Sequence, residues 1–207
     1  MRSMENIYIC LASPIAVSII CLRREWRRTM IFILAGMSGY LMAAYVTSFF
    51  AGLAGCSMST TSHAISPAVE EIIKFLPILF YLMVFEPKKR DCANAYLLVA
   101  VGFATFENVC FMTYYGASNL VDVLIRGFGT GAMHELSCCT VALGIFLLWD
   151  TPWLKVAGTF AFLCTAITFH AIFNIVISGP TASMWIGSAI PITIFIIYLT
   201  FFHKKLK

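Results

Sequence analysis

Charge is what this sequence has least of: Asp, Glu, Lys and Arg make up 12% of its 207 residues, while 60% are hydrophobic. With a mean hydropathy of +0.88, there are too few polar side chains to cover a water-facing surface, which excludes a soluble domain. Long polar linkers, internal repeats and low-complexity stretches are also missing, so nothing divides residues 1–207 into more than a single domain. The eight cysteines (Cys10, Cys21, Cys56, Cys92, Cys110, Cys138, Cys139 and Cys164) lack the spacing of a secreted disulfide framework. Most lie in apolar runs and read as small packing residues.

Apolar runs are abundant instead. They cover approximately 7–22, 29–54, 68–85, 92–115, 123–148, 155–178 and 184–202, and a run of roughly 17–25 residues crosses a hydrocarbon core about 30 Å thick. The expected fold is therefore all-α, a polytopic membrane helix bundle of about seven transmembrane helices. The first run is short enough to suggest a cleaved signal peptide, but no A-x-A-like site precedes a soluble region, and it is read as a helix.

Basic residues set the expected orientation, because cytoplasmic loops are enriched in Lys and Arg. Arg23, Arg24, Arg27 and Arg28 follow the first run, Lys88, Lys89 and Arg90 the third, Lys155 the fifth, and Lys204, Lys205 and Lys207 the seventh. All fall on one side, which puts the N-terminus outside and the C-terminus in the cytoplasm. The net charge of +4 is thus a topology signal. The expected partner is the lipid bilayer, in a multi-pass protein of the cell membrane, with no nucleic acid.

A few ionisable residues interrupt the apolar runs: Glu70, Glu71, Lys74, Glu107, Arg126, His134, Glu135 and His170. A charge at mid-membrane costs roughly 2.5–3.5 kcal/mol on insertion scales, so such groups should face the bundle interior and find partners. At 1.5 Å per residue, Glu70, Glu71 and Lys74 lie within about 10 Å of the outer end of their helix, and Glu107 lies about 22 Å from the cytoplasmic start of the next. Arg126 comes near the outer boundary, with His134 about 12 Å deeper, and His170 lies about 22 Å from the inner face. Four helices running in alternating directions thus deliver polar groups to one outer layer.

Each group also has an ordinary explanation. Ser66 as a helix cap, Pro67 at the first position and acidic residues in the first turn would account for Glu70 and Glu71, with Glu70 pairing to Lys74 one turn on. Asn108 could satisfy Glu107, and Arg126 could snorkel to the interface. His134 could be a core histidine beside Gly127, Gly129 and Gly131, which permit close helix approach. His170 and Asn174, four residues apart on one face, could be interhelical glue. Cys138, four residues after His134, reads as packing before it reads as a metal ligand. His63 and His203 lie outside the runs and carry no role.

Taken together, carboxylates and imidazoles in an enclosed pocket suit water activation for hydrolysis, or a proton relay. The lack of matching groups in the inner halves weighs against transport. The segments "EEIIK" (Glu70, Glu71, Lys74), "FATFEN" (Phe103, Glu107, Asn108), "RGFGTGAMH" (Arg126, His134) and "HAIFN" (His170, Asn174), in this order, resemble the PrsW family of intramembrane proteases, which is similar to the CAAX prenyl endopeptidases. The resemblance covers roughly residues 30–180. It implies cleavage of a membrane-anchored protein substrate near the outer face, anti-sigma factors being the family's substrate type. By carry-over, Glu70 or Glu71 is the general base, Glu107 and His134 position or activate water, and His170 with Asn174 binds a metal or the oxyanion. Lys74, Asn108 and Arg126 are supporting residues.

Glu107 stands where the CAAX enzymes have a histidine, so their metal-free mechanism does not transfer unchanged. Zinc is the cofactor implied by the metalloprotease label, with Glu107, His134 and His170 as its expected ligands, although no H-E-x-x-H fixes the choice. A non-catalytic scaffold of the same superfamily and a proton-coupled transporter are the alternatives. The Gly-, Ser- and Thr-rich residues 55–67 are expected to form an outer lid.

Overall fold

The computed structural model describes residues 4–116 and 120–201. Arg2, His203, Lys204, Lys205 and Lys207, and the last residue of the 184–202 run, lie outside the described residues. The elements are α1 (Met4–Cys21), α2 (Arg24–Ala54), a single turn α3 (Met58–Thr60) continuing into a π-helical turn (Thr61–Ile65), α4 (Ser66–Phe85), α5 (Lys89–Tyr115), α6 (Leu120–Leu148), α7 (Pro152–Ile177) and α8 (Thr181–Phe201). Among the described residues there are no strands, and the seven long helices correspond one for one to the seven apolar runs. Length and composition alone qualify α1, α2, α5, α6 and α7 to cross a membrane. α4 carries Glu70, Glu71 and Lys74 in its first half.

The helices begin ahead of their apolar runs. α2 starts at Arg24 rather than 29 and α5 at Lys89 rather than 92. Hydropathy registers only the part of a helix that meets hydrocarbon, whereas backbone hydrogen bonding continues through the polar residues of the interface. Residues 55–67 also depart from a plain loop: after Gly55, whose left-handed φ of 63° ends α2, the chain turns twice in helical form before α4.

α5 and α6 form the interior of the bundle, each with 50% of its apolar span buried, whereas α1 buries a single residue, Ala12. Along one side of α5 lies α2, and the two backbones touch. A Cβ on Gly36 would stand 2.1 Å from the Val99 carbonyl oxygen, and one on Gly102 would stand 2.0 Å from that of Ile33. Only glycine fits at such a crossing. On the other side, α6 meets α8 where Gly129 faces Ser188, a Cβ at Gly129 coming within 2.7 Å of the serine Cβ; Gly127 and Gly131 face open space. One end of the bundle is filled by Phe32, Ile78, Leu82, Tyr96, Val99, Val141 and Ile145, a contiguous apolar core. At the other end the same helices present their polar residues.

Candidate active site

The first three turns of α4 carry the densest part of the cluster. Residues 70 and 71 lie about 100° apart around the helix with 74 between them, and in the fold Lys74 sides with Glu71. Glu70 points to a cavity of about 790 Å³, while Glu71 and Lys74 are fully buried behind it. Ser66 does not cap the helix, whose N-cap position is Ile65 with no side-chain bond. Its hydroxyl instead donates to Glu70 Oε1. Lys74 does not pair with Glu70 either: its ammonium lies 2.7 Å from Glu71 Oε1.

Three further helices complete the cluster. From α7, His170 donates from Nδ1 to Glu71 Oε1 at 2.7 Å and holds Nε2 at 3.7 Å from Glu70 Oε2. His134, from α6, lies tilted against Phe103 at 5.2 Å and meets His170 edge to face at 5.1 Å between centroids. Its Nδ1 lies 3.0 Å from Lys74 Nζ, and its Nε2 bonds Glu107 Oε2. Glu107, from α5, accepts on its other oxygen from Arg126 Nη2 at 2.6 Å, and that guanidinium lies over Phe111 at 4.3 Å. Arg126 therefore serves the cluster directly and is more than an interfacial anchor. Every acidic, basic and imidazole group singled out from α4, α5, α6 and α7 is joined in one network, except Glu135, which has no place in the cavity lining.

The two asparagines lie elsewhere. Asn108 Oδ1 is buried with no partner and outside the cavity lining. Asn174 does line the cavity, but its amide is spent on the Ser62 carbonyl at 3.0 Å. Beside it, His63 Nε2 lies 3.0 Å from Ser178 Oγ. These two bonds fasten the Met58–Ile65 segment to the end of α7, so His63 has a structural contact that the sequence did not suggest. Replacing Asn174 with Ala is expected to speed amide hydrogen exchange across residues 58–65, with a stability cost of about 1 kcal/mol, the ordinary net value of one such bond. Exchange rates equal to wild type would show that the segment is held by something else.

Sequence reading also missed the contributions of α2 and α8. Tyr40, Thr47 and Ser188 line the cavity beside Thr130, and the buried hydroxyl of Thr47 has no partner. The available signal was weak, since hydroxyls recur along both helices and are common in helices without any function.

The donor set can be tested against a metal ion. Glu70, His134 and His170 can each offer one ligand atom, and these atoms lie within 4.8 Å of one another. Glu70 Oε2 is buried and has no hydrogen-bond partner, as expected of an oxygen reserved for an ion or a water. Three ligands from Glu and His with room for water are the usual composition of a catalytic zinc site; the residue types fit it, with Glu70 and His170 open to the cavity and His134 engaged at both nitrogens by Lys74 and Glu107. Glu107, expected among the ligands, is bonded by Arg126 and His134, and the carboxylate grouped with the two imidazoles is Glu70.

One family's sequence profile, described as PrsW family intramembrane metalloprotease, matches residues 24–202. No curated protein and no solved structure matches the chain.

Proposed function

The chain belongs to the PrsW family of intramembrane metalloproteases, and we propose that it is an endopeptidase that cuts membrane-anchored proteins of the anti-sigma-factor kind close to the outer face of the cell membrane. The observation that carries this reading is the pair at the cavity wall: a partnerless Glu70 oxygen opposite His170 Nε2 at 3.7 Å. A water placed there meets a proton acceptor on one side and a ring nitrogen on the other.

Glu70 is the general base in this scheme and Glu71 is not. Glu70 lines the cavity, whereas Glu71 has no exposed surface and binds Lys74 and His170 through one oxygen. Glu70 takes a proton from the attacking water, whose oxygen adds to the scissile carbonyl carbon. The same carboxyl then gives that proton to the leaving nitrogen as the C–N bond breaks, yielding a carboxylic acid and an amine. Glu71 orients His170, and Arg126 with His134 fixes Glu107 at the cavity wall. With zinc held by Glu70 and His170, the ion would activate the water in place of the free carboxylate and polarise the carbonyl oxygen.

Orientation and substrate follow from the same frame. Arg23, Arg24, Arg27, Arg28, Lys88, Lys89, Arg90 and Lys155 sit at helix ends remote from the cluster. Glu107 lies about 27 Å along α5 from Lys89. With the basic end cytoplasmic, the N-terminus is outside, the C-terminus inside, and residues 1–207 act as one protease domain whose cavity opens in the outer half of the bilayer. A substrate must offer an unwound stretch there, because a helix keeps its carbonyls in its own hydrogen bonds. The apolar core that fills the basic end disfavours a proton path through the bundle.

The test is cleavage of a single-span reporter by purified protein in proteoliposomes, with and without a zinc chelator. The expected result is cleavage near the outer boundary of the reporter's span, lost on chelation and restored by zinc. No cleavage by well-folded protein would favour a scaffold, and cleavage indifferent to chelator would remove the metal from the scheme.

A further inference from the structure

Lys74 has no exposed surface and no direct place on the cavity wall, yet it touches both halves of the cluster. Its ammonium lies 2.7 Å from Glu71 Oε1 and 3.0 Å from His134 Nδ1, and it sits over the Phe103 ring at 5.2 Å. An ammonium has three donors and no acceptor. Paired with Glu71, it can approach Nδ1 only as a donor, so Nδ1 must present a lone pair and the ring proton must be on Nε2. That proton is donated to Glu107 Oε2. Both His134 nitrogens are then engaged, one of them by a cation that takes up its lone pair.

His170 is set the opposite way. Its Nδ1–H is committed to Glu71 Oε1 at 2.7 Å, which leaves the Nε2 lone pair facing the partnerless Glu70 oxygen at 3.7 Å. One ion pair, Glu71 with Lys74, therefore dictates the tautomers of two imidazoles packed edge to face, and gives them different jobs.

We propose that Lys74 is a positioning residue that locks His134 in the Nε2–H form, so that this imidazole carries Glu107 and is withheld from the ligand set, leaving Glu70 and His170 as the open pair that receives an ion or a water. The 4.8 Å proximity of His134 becomes coordination only if the ammonium withdraws. This deepens the reading of the cavity given above and rests on it for the identity of the site, but its test reads ring nitrogens rather than cleavage.

The test uses full-length protein labelled with 15N-histidine in lipid nanodiscs, with zinc as the probe and His134→Ala and His170→Ala proteins for assignment. Protonated, bare and metal-bound ring nitrogens have well-separated 15N shifts. Wild type is expected to show His134 with a bare Nδ1 and a protonated Nε2, unchanged when zinc is added, while His170 Nε2 moves. In Lys74→Met the His134 tautomers are expected to mix, and a His134 nitrogen is expected to move with zinc. The proposal is overturned if wild-type His134 is in the Nδ1–H or a mixed form, if its nitrogens follow zinc as those of His170 do, or if Lys74→Met leaves its tautomer unchanged. Should Lys74→Met fail to fold, the wild-type spectrum decides. If zinc moves no histidine, the metal part of the proposed function fails, while the tautomer comparison still decides the role of Lys74.

Discussion

Glu70→Gln protein is expected to fold, to keep its contact with Ser66, and to cleave its substrate about 100 to 10,000 times more slowly than wild type, the range over which a positioned general base acts. The substitution is nearly isosteric: a glutamine Oε1 still accepts from the Ser66 hydroxyl, while the partnerless oxygen facing His170 loses its ability to take a proton. The neighbouring Glu71→Gln should behave in the reverse sense. Glu71 and Lys74 have no exposed surface, and breaking a buried pair by neutralising one member costs about 3–5 kcal/mol because the other charge is left uncompensated. Adjacent glutamates are thus predicted to separate cleanly, one change altering rate and the other stability. Single-turnover cleavage and thermal unfolding in the same detergent measure both. Wild-type cleavage by Glu70→Gln would reject the assignment of the base, and equal loss of stability in the two variants would reject the division of labour.

Gly102→Leu is expected to disrupt the bundle itself. A Cβ at this position would fall 2.0 Å from a backbone oxygen of α2, so no rotamer change relieves the overlap and the helices must separate along their length. Overpacking in a well-packed interior costs typically about 1–3 kcal/mol and occasionally more; against backbone the upper end applies. Because Tyr40 and Thr47 of α2 line the cavity, cleavage should fall along with the unfolding temperature. Gly127→Ala and Gly131→Ala, at positions where an added methyl meets nothing, serve as controls. They should leave stability unchanged or raise it by up to about 1 kcal/mol through better helix propensity. An unfolding temperature for Gly102→Leu equal to wild type would mean that the close α2 to α5 contact is not needed in the membrane.

The helix count and the grouping of the polar layer were legible before any coordinates, for a definite reason. Lipid offers no hydrogen bonds, so each crossing must be a helix and each crossing declares itself as an apolar run. Depth then follows from counting residues, which is how Glu70, Glu107, His134 and His170 could be placed in one layer. Azimuth was harder to read. The pairing of Lys74 with Glu71 instead of Glu70, the diversion of Asn174 to the Ser62 carbonyl and the role of Ser66 on a carboxylate all depend on which way each helix is turned. Apolar helices leave that weakly marked, since lipid-facing and core-facing positions are both hydrophobic.

Membrane residence, the helix count and the layer of polar side chains were legible in the order of residues alone, because the cost of charge in hydrocarbon acts locally, on each segment as it stands. Who bonds to whom was settled only when the helices packed. Glu70 open and Glu71 closed, His134 and His170 in opposite tautomers, and the glycines that let α2 lie against α5 all arise from contacts between residues distant in the chain, where fractions of an ångström separate a hydrogen bond from a clash.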